Sequence, residues 1–98
     1  MQKVRVRIPQ LVDIGEAILI YYSKTELSNA DLKKLFGTKA ESTFYKLKKI
    51  VRNEMIAKSV EVFDDSKVNT KLAFEVWGFD INELEANFKK ISKIRSMM

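Results

Sequence analysis

The side chains with the clearest chemical potential in this sequence are the amines, hydroxyls and amides that recur between residues 39 and 57. Placed at 100° per residue on a helix, Phe44, Leu47, Val51 and Met55 form one apolar stripe. The opposite side holds polar groups that donate hydrogen bonds to phosphate oxygens and base edges. These groups are Ser42, Thr43, Tyr45, Lys46, Lys49 and Asn53, with Arg52 at the edge. The segment is therefore predicted to bind an anionic partner with hydrogen-bonding groups.

Most of the residue types used in catalysis are missing. The 98 residues include no His and no Cys, so a thiolate nucleophile, a Ser–His–Asp triad and a Cys/His zinc site are excluded. Gly15, Gly37 and Gly78 lie too far apart to form a phosphate-binding glycine loop. The acidic pair at 64–65 has no further ligand nearby and is interpreted as a solvated turn. We therefore expect neither enzymatic activity nor a cofactor or metal.

The net charge of +5 is distributed in opposed blocks. Residues 39–58 contain six basic and two acidic side chains, whereas residues 59–88 contain two basic and seven acidic ones. Such a separation favours one oriented anion-binding face over a uniformly basic surface. Lys33, Lys34 and Lys39 add positive charge beside the first block. The longest apolar run, residues 17–22, is too short to span a bilayer, and a cytoplasmic location is expected.

Periodicity and capping residues predict a single, mainly α-helical domain. Helices are predicted at 10–23, 28–36, 39–57 and 81–96, and Thr38 with Glu41 fits a capping box for the third. Alternating segments at 3–8 and 59–63 are candidate strands for at most a small two-stranded ribbon. Residues 69–77 fit a helix better than a strand, because Asn69 and Gly78 are typical helix ends.

The helix at 28–36, the glycine after it and the helix at 39–57 follow the order of a helix-turn-helix within a core of about residues 10–57. The stretch L-x-x-L-F-G-T-K-A-E-S-T-F-Y-K-L-K-K resembles the motif of small bacterial and phage helix-turn-helix DNA-binding proteins. Residues 68–81 are also similar to a segment of small proteins of phage and mobile-element origin. The pattern departs from that family at Phe44, which follows Gly37 by seven positions rather than six.

The resemblance implies a sequence-specific transcriptional regulator that places helix 39–57 in the major groove of double-stranded DNA. A homodimer through the C-terminal helical part, about residues 68–98, would suit such a role. Two alternatives stay open. If 69–77 were a strand, it would form a hairpin with 59–63 and the fold would be a winged helix. The chain could instead be a protein–protein adaptor that uses the acidic 59–88 segment and the C-terminal helix.

Overall fold

The computed structural model describes residues 7–62 and 64–97, and these residues form a mainly helical domain with one small antiparallel sheet. Polar side chains fix most of the helix starts, as predicted. Ser28 and Asp31 form a reciprocal capping box, and the side chain of Asn69 accepts a hydrogen bond from the backbone N–H of Leu72. The elements in chain order are α1 (Ile14–Ser23), β1 (Glu26–Leu27), α2 (Asn29–Phe36), α3 (Glu41–Ala57), β2 (Val68–Asn69), α4 (Thr70–Trp77) and α5 (Ile81–Ser96).

Two predicted helices begin later than the sequence suggests. The first begins at Ile14 because the Asp13 side chain accepts the N–H of Glu16 and caps the helix there. The helix predicted from residue 39 begins at Glu41, and the capping box expected from Thr38 does not form. Ala40 takes the capping position with extended backbone and no side-chain hydrogen bond. Residues 37–40 therefore form the turn between α2 and α3.

The sheet pairs segments other than those expected. Glu26 lies opposite Asn69 and Leu27 opposite Val68 in an antiparallel register. The prediction of a strand at 59–63 is wrong for residues 59–62, which form a turn and a loop after α3, and residue 63 is not described. Its proposed partner at 3–8 lies outside the described residues, except for positions 7 and 8, which are not in a strand. Because 70–77 is helical, the hairpin of a winged helix does not form.

The core lies where α4 packs against α3, which is the most extensive contact between two helices of the described chain. Trp77 is buried, and its indole Nε1–H donates to the carbonyl oxygen of Leu47 at 3.1 Å. The ring of Phe36 meets it edge-to-face at a centroid distance of 5.3 Å. Burying side chains of this size contributes about 1.5–3 kcal/mol each. The tryptophan thus links α2 and α3 to its own helix, α4.

The hydroxyl of Thr70 is a buried polar group without a hydrogen-bond partner. We expect Thr70→Val to raise the free energy of unfolding by about 1 kcal/mol, because valine has the same shape and removes an unsatisfied hydroxyl. The backbone N–H of residue 70, which donates to the carbonyl of Thr25, is unaffected. Urea unfolding followed by circular dichroism measures the change. Thr38→Val, at an exposed position, is the matched control and should change stability by less than about 0.5 kcal/mol. A loss of stability in Thr70→Val would contradict the assignment.

Candidate nucleic-acid interface

The turn between α2 and α3 is held by its glycine and by the burial of α2. Gly37 has φ +80°, a region that favours glycine, and its N–H donates to the carbonyl of Lys33 at 2.8 Å. Leu32, Leu35 and Phe36 of α2 are buried. The backbone of Val12 also donates to the carbonyl of Leu35 at 2.9 Å, which attaches the segment before α1 to the end of α2. Together these contacts fix where α3 begins.

The two faces of α3 divide as the spacing predicts. Phe44, Leu47, Val51 and Met55 are buried and form part of the core. Thr43 is half-buried at the boundary between the faces. The exposed side carries Ser42, Tyr45, Lys46, Lys49 and Asn53. The structure thus brings five of the predicted contact residues onto one helix face, where hydroxyl, amide and ammonium groups are open to a partner.

Tyr45 and Lys49 interact on this exposed face. The ammonium nitrogen of Lys49 lies 5.8 Å from the centroid of the Tyr45 ring, one helical turn away. At an exposed site a cation–π contact of this length is weak, of order 0.5–1 kcal/mol. Its effect is to orient the two side chains together, so that the ring and the positive charge form one feature of the surface.

Further cations surround the start of α3. Lys33 and Lys34 lie in the last turn of α2, Lys39 lies in the turn, and all three are exposed. Within residues 7–62 and 64–97, Lys58 forms the salt bridges, with its ammonium nitrogen 3.5 Å from a carboxylate oxygen of Glu54 and 3.5 Å from one of Glu75. The ammonium groups of the predicted interface are therefore not neutralised by carboxylates of the described chain.

Two cations of α3 face the protein instead of the exposed surface. Lys48 is buried and its ammonium donates to the carbonyl oxygen of Ser66 at 2.8 Å. Arg52 is half-buried and one guanidinium nitrogen donates to the carbonyl of Asp65, also at 2.8 Å. Arg52 was predicted to lie at the edge of the interface, and the structure places it against the 64–66 turn. Sequence reasoning missed Lys48, although its position beside Phe44 and Met55 on the helical wheel indicates the buried side.

The 64–66 turn presents these carbonyls because Asp64 organises it. The carboxylate of Asp64 accepts the backbone N–H of Ser66 at 2.9 Å and its hydroxyl at 2.7 Å. These hydrogen bonds stabilise the charged carboxylate and lower the pKa of Asp64 below its usual value. The acidic pair predicted to be a solvated turn is therefore exposed, as expected, and also anchors the second half of α3 through backbone oxygens.

Burial lowers the pKa of Lys48, and the nearby charge of Arg52 lowers it further, while Asp64 acts in the opposite direction. The carbonyl of Ser66 is the hydrogen-bond acceptor that compensates the buried ammonium. Such an arrangement positions a helix and does not expose a nucleophile, because the amine is enclosed. Among the described residues no group of three or more acidic side chains is arranged to hold a metal ion. No helix in that part of the chain has the length and apolar character needed to cross a membrane.

Acidification should weaken the fold through Asp64. Its carboxyl has a lowered pKa in the folded state, so its contribution to stability is present above about pH 4 and is lost as the pH falls through the folded value. We expect Asp64→Asn to be less stable than the parent chain at about pH 6 and to approach it at about pH 2.5. Urea unfolding at the two pH values measures the difference. Asp13→Asn is the control for an exposed capping carboxylate. A difference for Asp64→Asn that does not shrink with acid would contradict the role of the charged form.

Comparison with known proteins adds no relative to this description. No protein-family model matches the chain, and no match was found among curated proteins or solved structures. The functional interpretation therefore depends on the chain's own residues and on the geometry of α2, the turn and α3.

Proposed function

We propose that this chain is a sequence-specific DNA-binding protein that inserts α3 into the major groove of double-stranded DNA. The observation that carries the proposal is the exposed face of α3. Its hydroxyl, amide and ammonium groups lie opposite a fully buried apolar stripe. A helix enters the major groove only when one side is held by the protein and the other offers donors and acceptors to base edges.

The roles of the side chains follow from their positions along α3. Ser42, Tyr45, Lys46 and Lys49 occupy the first half of the helix, which is the part that meets base edges in a helix-turn-helix. Asn53 follows about one turn later and is assigned to the groove edge or the phosphate backbone. Lysine and hydroxyl groups bond to base edges or phosphates, whereas the tyrosine ring offers an apolar contact to a thymine methyl group.

The cations around the turn are assigned to the DNA backbone. Lys33, Lys34 and Lys39 are exposed at the end of α2 and in the turn, where they flank the start of α3. Phosphate contacts supply most of the affinity and fix the register of the helix, while base contacts supply the specificity. Arg52 has a smaller part in this assignment, because one of its guanidinium nitrogens is bound to Asp65.

The biological role proposed is transcriptional regulation of the phage or mobile-element type. Its support is the resemblance of the motif around Gly37 and of residues 68–81 to small proteins of that origin. In this structure residues 70–77 form α4, whose buried side holds α3. The resemblance of residues 68–81 therefore concerns the helix that supports α3, and the resemblance of the motif around Gly37 concerns the contact surface itself.

The adaptor alternative has less support from the geometry. The acidic 59–88 segment supplies Leu72, Phe74 and Trp77 to the core, so these three side chains are not available to a partner. Its exposed carboxylates are spread over a loop, α4 and the start of α5. An adaptor of this kind should wash through a heparin column at low salt, whereas a DNA-binding protein should be retained and then eluted by salt.

Removing two charges from the exposed face of α3 should weaken DNA binding. We expect Lys46→Ala with Lys49→Ala to lower the affinity for a random-sequence duplex. The slope of log K against log salt should also fall in magnitude by about 1–2, because fewer phosphate contacts form and fewer counterions are released on binding. Fluorescence anisotropy with a labelled duplex at several salt concentrations measures both quantities. Unchanged affinity and slope would overturn the proposed interface.

The matched control removes two charges from a distant helix. Lys89→Ala with Lys93→Ala changes the net charge equally on α5, which packs on α1. This control variant should keep most of the slope of the parent chain. Equal losses in the two variants would show that binding follows net charge and not the exposed face of α3.

A further inference from the structure

The C-terminal helix is the least covered element of the described chain. None of the sixteen residues of α5 is buried. The helix rests on α1 through its first two turns, where Ile81 and Leu84 are half-buried and the hydroxyl of Tyr22 donates to the carboxylate of Glu85. The ring of Phe88 packs closely on Gly15 at the end of this contact. A methyl group on Gly15 would lie only 3.0 Å from the Cε2 atom of that ring. The following two turns extend past this contact.

An apolar surface crosses from α1 to this second half of α5. Phe88 and Ile91 are 43% and 37% exposed, and Ile94 on their flank is 59% exposed. On the α1 side of this surface, Val12 just before the helix is 62% exposed and Leu19 on the helix is 60% exposed. Leu19 lies between Gly15 and Tyr22 at helical spacing, on the side of α1 that meets α5. We call these five residues the α1–α5 apolar surface.

The middle of this surface is concave. A cleft of about 320 Å³ is lined by Val12, Gly15, Phe88 and Ile91, among others, and Arg95 lies at its edge. Several large apolar side chains grouped around a cleft mark an interaction site in a small domain, because isolated exposed apolar residues are common but contiguous ones are not.

The charges along α5 indicate which partner fits. Asp80, Glu83 and Glu85 lie at its N-terminal end, and Lys89, Lys90, Lys93 and Arg95 lie at its C-terminal end. A second copy of the helix running antiparallel places each acidic end beside a basic end, and it also opposes the helix dipoles favourably. A parallel copy would place four cations beside four cations, which is unfavourable. The charge order is therefore self-complementary in one orientation.

We propose that the α1–α5 apolar surface binds a second copy of this chain, with the two α5 helices antiparallel and crossing near Asn87. In this two-fold arrangement Phe88 of each copy lies beside the crossing point, and Ile91 and Ile94 of each copy lie nearly level with Leu84 and Ile81 of the other. Glu83 of each copy lies near Lys90 of the other, because their positions are nearly equidistant from the crossing point. The dimer leaves the exposed face of α3 free, since α5 packs on α1. The inference is independent of DNA binding.

Sedimentation velocity without DNA tests the association. The parent chain should shift from monomer to dimer between about 5 and 300 µM, and Ile94→Asp should raise the dissociation constant about tenfold or more. Ile91→Asp with Ile94→Asp should abolish the dimer in that range, with circular dichroism confirming that the helices persist. Ile56→Asp is the matched control at an exposed isoleucine on α3 and should dimerise like the parent chain. A parent chain that stays monomeric, or an Ile94→Asp variant that dimerises normally, overturns the proposal.

Single cysteines test the orientation, because the chain has none of its own. Asn87→Cys should form a disulfide-linked dimer on mild oxidation, because the two copies of residue 87 meet at the crossing point. Ile94→Cys lies one heptad further on the same flank and should not cross-link, because its two copies are about 21 Å apart in an antiparallel pair. Cross-linking of both variants would indicate parallel helices and overturn the proposed geometry, as would a lack of cross-linking of Asn87→Cys in samples that sediment as dimers.

Discussion

The contact between Trp77 and the middle of α3 is the constraint on which the proposed interface depends. The indole N–H of Trp77 donates to the carbonyl of Leu47, and the indole ring packs against Phe36 at the end of α2. Because a buried N–H without a partner is costly, this hydrogen bond favours one rotation of α3 about its axis. That rotation buries the stripe from Phe44 to Met55 and leaves the polar side outward. A different rotation would bury lysines and expose the core.

The second support of α3 comes from a loop and not from a helix. Lys48 and Arg52 donate to backbone carbonyls of the turn that Asp64 organises. Two positive charges that add to the basic block of the sequence are therefore used inside the molecule. What remains for an anionic partner is a smaller and more defined set on the exposed face and around the turn. A count of positive charges thus overstates the interface, since Lys48 and Arg52 bind the 64–66 turn and serve the fold.

The two ends of the molecule carry different kinds of surface. The surface around α2 and the first half of α3 is polar and basic, while the α1–α5 side exposes several large apolar side chains between opposed charges. In the proposed complexes, phosphates would attract the first surface through long-range electrostatics, and the second would gain free energy mainly by excluding water from apolar area. Binding of DNA and pairing of chains would therefore use separate residues. Added salt would weaken DNA binding by screening charge, whereas it would affect the apolar contact between chains much less.

Periodicity and capping residues were enough to predict the helical class and the two faces of α3, because these follow from spacing along one helix. The sequence did not reveal that Leu27 pairs with Val68, since two-residue strands leave no alternating pattern and the partners are 41 positions apart. Nor did it show that α3 begins at Glu41, with Ala40 at the capping position, or that Lys48 and Arg52 bind the turn at 64–66. Tertiary structure decided these points, because the acceptors for those cations are backbone carbonyls, which every residue has and whose position only the fold determines.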